Sequence, residues 1–359
     1  MNTNKIRGCL IGGAVGDALG YQIEFARGIK DKQVKRFKDD VGIISDDTQM
    51  TLFTATALLW AQTQKLVGNE KVSLRESMHS AYLDWLDTQR GTLAHKSISW
   101  IKTIPELNRL RAPGNTCLSS LSSGKIGSTV QPLNHSKGCG TIMRIAPCAM
   151  FADNPDHAGI IAVDCSVITH GHVLAWMPSY VCAHMIKSIL DGNGDICDAL
   201  NRALNGLRSR ASLFKENVPM FRKNSLGAFL DLVGSAIDLS KKDMRDTDAI
   251  RMLGEGWTAD EAFAIAIYSC LKYSNSFEDA VVCAVNHDGD SDSTGAIAGN
   301  IMGALMGYQN IPDYYKNNVE LNNIILEIAD DIISLDKSED SSALIMDEDW
   351  QRKYVNCTF

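Results

Sequence analysis

Several things are scarce in this sequence, and each absence removes a class of protein. There is no Cys-x-x-Cys pair, although ten cysteines are present. They are dispersed, and Cys165, Cys182, Cys270 and Cys283 sit inside apolar stretches. In a chain of 359 residues that usage reads as small buried filler in a reducing compartment rather than a disulfide framework. No lysine or arginine cluster of nucleic-acid-binding size occurs, and the net charge is near -8. No apolar run approaches the roughly 18 residues of a membrane span. The opening segment, MNTNKIRGCLIGGAVGD, meets an aspartate too early for a signal peptide. These absences lead us to expect a soluble, cytoplasmic protein with neither a nucleic-acid nor a membrane partner.

What the chain does contain is helical periodicity. Alternating strand patterns are nearly absent, and no fixed-period repeat or low-complexity linker breaks the sequence. Mixed 3.6-period apolar faces recur at 73–88, 156–168, 174–191, 195–207, 225–239, 258–272, 276–286 and 319–335. Ser73 with Glu76, and Thr258 with Glu261, have the spacing of a capping box. Hydrophobic residues make up 45% of the chain, ample for a buried core. The expectation is a single all-α domain over 1–359, with the last ~20 residues peripheral to it.

Two segments have an unusual composition. IRGCLIGGAVGDALG, at 6–20, places glycine at 8, 12, 16 and 20; NHDGDSDSTGAIAGNIMGALMG, at 286–307, places it at 295, 299, 303 and 307. Residues four apart share a helix face. Each interior glycine costs a helix about 1 kcal/mol relative to alanine. The spacing therefore predicts two helices packed glycine ridge to glycine ridge, with their backbones unusually close. Gly20 and Gly307 have a second reading as helix terminators.

The glycine segment at 286–307 opens with Asp288, Asp290, Ser291, Asp292, Ser293 and Thr294. A second cluster, Ser45, Asp46, Asp47 and Thr48, enters another helical pattern. Helix capping explains only one polar residue of such a cluster. Adjacent carboxylates repel unless something positive lies between them, and a helix N-terminus supplies only about half a charge. The donors are all oxygen, which selects Mg²⁺, Mn²⁺ or Ca²⁺ over zinc or copper. Asp46, Asp47, Asp290 and Asp292 could hold two divalent ions, typically ~3.5–4 Å apart, which bind a vicinal diol or activate water. The residues alone point to a two-metal hydrolase acting on hydroxyls or phosphates.

The intervening loops add candidates. Glu24, between Ile23 and Phe25, is either a surface residue or a held, functional carboxylate. RAPGNT, at 111–116, is turn-rich. In SKGCGTIMRIAP, at 136–147, Gly138 and Gly140 precede Arg144, the make-up of an anion-binding loop. In THGH, at 169–172, His170 reads as a substrate contact or as a core histidine, since no nearby residues complete a zinc site.

Together these segments resemble the ADP-ribosylglycohydrolase family. The matching pieces are GCLIGGAVGDALGYQIEF at 8–25, SDDTQM at 45–50, RAPGNT, GCGTIMRIAP at 138–147, TH at 169–170, GWTADEAFAIA at 256–266 and NHDGDSDSTGAIAG at 286–299. They span nearly the whole chain. The resemblance implies an all-α, orthogonally packed helical bundle with a binuclear Mg²⁺ (or Mn²⁺) centre in a central cleft. By motif position its metal ligands are Ser45, Asp46, Asp47, Asp290, Asp292 and Ser293. Glu24 falls beside the scissile bond, and either Glu24 or Asp46 deprotonates the attacking water. Asn115 is expected to contact substrate, the loop Gly138, Cys139, Gly140 and Thr141 to cradle a diphosphate, and His170 to meet a ribose. Asp288 stands where the family commonly has glycine; facing solvent is the favoured reading, an extra acid beside the metals the other. The implied activity removes ADP-ribose from modified proteins. The SDDT and DSDST forms are closer to arginine-directed members, which includes an immunity role with a toxin as further partner. Serine-linked or other O-linked hydrolysis, a catalytically weak ADP-ribose-binding or partner-binding protein, and a two-metal phosphohydrolase remain as alternatives.

Overall fold

The first helix begins where Asn2 caps it, its side chain accepting from the backbone N–H groups of Asn4 and Lys5 at 3.0 and 3.4 Å. The computed structural model describes residues 2–25, 33–92, 96–192, 194–210, 225–337 and 341–359; part of the irregular stretch 20–45 and the start of the acidic segment 338–349 lie outside these. Among them run α1 (Thr3–Tyr21), α2 (Asp46–Leu66), α3 (Leu74–Arg90), α4 (Asn115–Ser122), α5 (Pro155–Val167), α6 (Val173–Leu190) and α7 (Ile196–Ser209). They are followed by α8 (Ser225–Ser240), α9 (Asp246–Leu253), α10 (Ala259–Lys272), α11 (Phe277–Val285), α12 (Ser291–Met306), α13 (Asp313–Asn318) and α14 (Asn322–Lys337). No β-strand occurs among the described residues; Gly42 with Val319 and Gly138 with Thr258 form isolated bridges. The fold is all-α, as the periodicity required.

The core is organised on α1 and α12, which pack antiparallel along their whole length. The predicted glycine ridges are the seam. A Cβ on Gly12 would run into the Gly299 carbonyl, and one on Gly299 into the Gly12 carbonyl. Gly8 stands in the same relation to Gly303, and Gly16 to Gly295. Gly20 continues the seam against the Ser291 backbone, so it is not a terminator; Gly307, at φ 80°, is one. Around this pair α2 packs on α3, α5 on α6, α6 on α7, and α8 on α10. Helix α6 is apolar enough and long enough to cross a membrane, a departure from the sequence expectation, but 94% of it is buried inside the protein. Cys165, Cys182, Cys270 and Cys283 are buried and unpaired, as filler should be.

Two local expectations fail for physical reasons. Ser73 caps α3 by accepting from the Glu76 N–H at 3.4 Å, but Thr258 makes no capping bond. Glu261 instead accepts from the Glu255 N–H at 3.2 Å, because the chain before α10 turns through left-handed Gly254 and Gly256. The pattern at 319–335 begins as a helix only at Asn322: the Glu320 N–H goes to the Gly42 carbonyl, and Leu321 has φ 60°. The closing residues carry two buried aromatics. Trp350 donates to Thr63 Oγ1 on α2 at 3.2 Å, and the Tyr354 hydroxyl receives the Trp100 indole N–H at 3.1 Å.

Candidate active site

Helices α2 and α12 each begin on an acid-rich turn, and the two turns face one cleft. Ser45 caps α2 by accepting from the Asp47 N–H at 3.2 Å, and Asp290 caps α12 by accepting from the Ser293 N–H at 3.3 Å. The cleft holds about 180 Å³. Glu24, Asp46, Asp47, Asp290, Asp292 and Ser293 line it. So do Asn115, Gly138, Cys139, Gly140 and His170. The chain leaving the glycine seam turns at 22–25, which brings Glu24 to the wall. Asp46 is fixed by the Gly114 N–H at 3.2 Å.

Two predicted residues sit behind the wall rather than on it. Ser45 is fully buried, with its hydroxyl bearing on Asp292. Thr141 is fully buried beneath the glycine loop and donates to the Ala175 carbonyl at 3.2 Å. Arg144, read from its spacing as a phosphate partner, points into the core instead. Its guanidinium donates to Thr169 Oγ1 at 2.7 Å and the Cys165 carbonyl at 3.2 Å, and lies 4.3 Å over the Tyr82 ring. Asp288 is exposed and does not line the cleft.

The electrostatics of the cleft are one-signed. Burial, then the charge of Asp292, holds Asp46 and Asp47 well above the ordinary carboxylate range. Burial, then Asp290, does the same to Asp292. Burial and the charges of Asp292, Asp290, Asp46 and Asp17 push Glu24 up to about 10. His170 is driven the other way, to about 3, by burial and then Arg144, so its ring is neutral. Its Nδ1 meets Thr169 Oγ1 at 2.8 Å.

Asp47 Oδ2 and Glu24 Oε2 are buried without any hydrogen-bond partner. Among the described residues no lysine or arginine forms an ion pair with these acids. Nor do three His, Cys, Asp or Glu side chains there stand already closed in ligating geometry. The acids surround a volume rather than a point. Orphaned carboxylate oxygens crowded in a buried, unneutralised cleft fit hard divalent cations, with Asp46, Asp47, Asp290, Asp292 and the hydroxyls of Ser45 and Ser293 as the donors.

Sequence reasoning missed two contributors. Asp17, fully buried on α1, accepts the N–H groups of Ser45 and Thr48 at 3.0 Å and the Thr48 hydroxyl. It ties the first turn of α2 to the glycine seam. Its signal was there: an acid inside an otherwise apolar, glycine-striped helix. Trp257, 41% exposed, lines the cleft, and its carbonyl accepts the Cys139 N–H at 3.2 Å. Its position after left-handed Gly256, in the turn before α10, was the available clue.

The helical fold is shared with a solved structure, an ADP-ribosylglycohydrolase-related protein complex. The TM-score is 0.65 at 21% identity, covering 93% of this chain and 98% of that one. The family model for ADP-ribosylglycohydrolase matches residues 2–342, and the chain belongs to that family, hydrolases of ADP-ribose glycosidic bonds. Similar curated proteins include ADP-ribosylarginine hydrolase Tri1 of Serratia proteamaculans, 26% identical over 94% of this chain and 81% of its own. ADP-ribosylhydrolase ARH3 of Homo sapiens is 22% identical over 88% and 89%. The ADP-ribosyl-[dinitrogen reductase] glycohydrolase of Rhodospirillum rubrum is 23% identical over 89% and 91%.

Proposed function

We propose that the protein removes ADP-ribose from arginine side chains of modified proteins, using a divalent-cation centre held by Ser45, Asp46, Asp47, Asp290, Asp292 and Ser293. The observation that carries this reading is the convergence of Glu24 with both acid clusters in one cleft, two of whose buried carboxylate oxygens have no partner. Two Mg²⁺ ions, or Mn²⁺ in their place, would supply positive charge to hold a vicinal diol of the distal ribose.

The protein's own groups do the rest. With the charges of Asp292, Asp290 and Asp46 neutralised, the push that holds Glu24 protonated is relieved, and its Oε2, free of any donor, takes a proton from the attacking water as the C1″–N bond breaks through an oxocarbenium-like state. The new C1″–OH bond uses the water oxygen, and the proton passes to the departing guanidine nitrogen. Asp46 is less free for that role, because the Gly114 N–H already fixes it. In the glycine loop the Gly138 N–H is taken by Ser136 Oγ and the Cys139 N–H by the Trp257 carbonyl, so Gly140 is the glycine placed to offer an N–H to the diphosphate, and neutral His170 beneath the loop offers a ring nitrogen to a hydroxyl. The acidic wall favours a cationic guanidinium leaving group over a neutral serine hydroxyl, and exposed Trp257 offers it an aromatic face. Reversing modification by an ADP-ribosylating toxin, as an immunity protein does, needs no further chemistry.

The test is a panel of arginine-, serine- and acyl-linked ADP-ribosyl substrates, with ADP-ribose itself as a control, in Mg²⁺ and in Mn²⁺. We expect free ADP-ribose from the arginine adduct. Turnover of the serine adduct alone would overturn the linkage, release of AMP would indicate a phosphohydrolase, and full activity in chelator would overturn the cation centre.

A further inference from the structure

One donor in the cleft does not match its neighbours. The Cys139 Sγ lies 2.7 Å from Asp290 Oδ2 and donates to it. The Ser293 hydroxyl is within hydrogen-bonding reach of the same sulfur, and Asp47 lines the same cleft. Cys139 is half-buried on the cleft wall, so an ion entering the cleft can reach it. Cys117 also lines the cleft, but its sulfur is turned toward the Gly140 carbonyl at 3.7 Å and takes an Arg144 N–H at 3.5 Å. A second unsatisfied donor lines the same cleft: Asp47 is 2% exposed, and its Oδ2 has no partner.

Hard cations prefer oxygen, whereas Zn²⁺ and Cd²⁺ gain most from sulfur. A sulfur in hydrogen-bonding contact with Asp290 and within reach of Ser293, both proposed ligands, offers such ions a donor that Mg²⁺ does not use. We propose that Cys139, with Asp290, forms a thiophilic cation site overlapping the hard-cation centre, so that Zn²⁺ or Cd²⁺ displaces Mg²⁺ and blocks the cleft. In that step the S–H bond breaks, an S–metal bond forms, the proton leaves to solvent, and nothing is oxidised or reduced. The inference rests on the cation reading given above.

The experiment uses the full-length protein, free of cations, with Cd²⁺ and Mg²⁺ alone as probes. Cd²⁺ binding is followed by calorimetry and by the ultraviolet sulfur-to-cadmium charge-transfer band, in wild type, Cys139→Ser and Cys139→Ala. Circular dichroism checks that each variant folds. We expect the wild type to give the band, excess Mg²⁺ to suppress it, and both variants to lose it with at least about tenfold weaker Cd²⁺ binding. An equal band and equal affinity in all three proteins overturns the proposal, as does a Cys139-dependent band that Mg²⁺ leaves untouched. Calorimetry showing no Mg²⁺ binding to the wild type would instead overturn the cation centre itself, which separates the two failures.

Discussion

Helix α12 contains two regions of opposite character within a few turns. Its body, Gly295 to Gly303, is a seam in which carbonyls of α1 fill the space where side chains would stand. Its first turn, with Asp290, Asp292 and Ser293, faces a cleft where like charges crowd and buried oxygens go unpartnered. The seam is settled by packing and leaves no room for change. The cleft is left unsettled, and like-charge repulsion there destabilises the cation-free fold. Asp17 joins the two, lying on the seam helix while fixing the first turn of α2. A rigid seam lets acidic groups be held close without the backbone relaxing away from them.

The largest effect should come from breaking the seam. Gly299→Val places a branched side chain against the Gly12 backbone, where no flexible side chain can give way. We expect a loss of more than about 4 kcal/mol, seen as lost soluble protein or a collapsed thermal transition. A variant that melts like wild type would show that the helices can separate freely. Next comes the cleft, where the expected effect is on function and not on the fold. Asp290→Asn or Asp46→Ala should lower turnover by at least about 10²–10³-fold in saturating Mg²⁺. The cation-free melting temperature should stay level or rise, because a buried like charge has been removed. A large loss of stability with turnover retained would invert the roles of the two regions.

The seam was legible in the sequence because four-residue glycine spacing has few other physical causes. The acid clusters were legible because two adjacent carboxylates at a helix start exceed what a cap requires. Arg144 misled because spacing after a glycine loop says nothing about which way a side chain turns. The Tyr82 face and the Thr169 hydroxyl that capture it are distant in sequence. Thr141 misled in the same way, its hydroxyl going to Ala175. The Thr258 capping box did not form: Thr258 makes no cap, and the Glu261 carboxylate takes the Glu255 N–H across a turn that spacing alone does not reveal. Short helices such as Asp246–Leu253 and Asp313–Asn318 have too few turns for an apolar period to show. Asp17 was overlooked because its partners arrive from α2, at Ser45 and Thr48.

A smaller effect distinguishes the regions by ligand. Mg²⁺ at about 100 times its dissociation constant should stabilise the wild type by about 2.7 kcal/mol. Thermal melts should show that gain vanish in Asp290→Asn. An equal gain in the variant would place the bound cation elsewhere.

The smallest effect comes from a carboxylate that belongs to neither region. Asp246 opens α9 and receives the Tyr268 hydroxyl, the Tyr273 hydroxyl and the Lys272 ammonium, each at 2.7 Å. Burial raises its proton affinity, but Lys272 and the two tyrosines together outweigh that and hold it below the usual carboxylate value. Its contribution is therefore present above the unfolded value near ~4 and fades as pH falls through the lower folded value. Glu24 has the opposite sign. Pushed up to about 10, it binds more protons folded than unfolded, so in cation-free protein its contribution is lost as pH rises toward that value. Asp246→Asn should cost about 1 kcal/mol at pH 7, and urea midpoints should converge with wild type as the solution is acidified. Glu24→Gln should show the reverse, matching wild type in acid and exceeding it in stability as pH rises without Mg²⁺. Parallel pH profiles for the two variants would mean that the cleft acids are already neutralised in the cation-free protein, and the contrast between satisfied and unsatisfied carboxylates would fail.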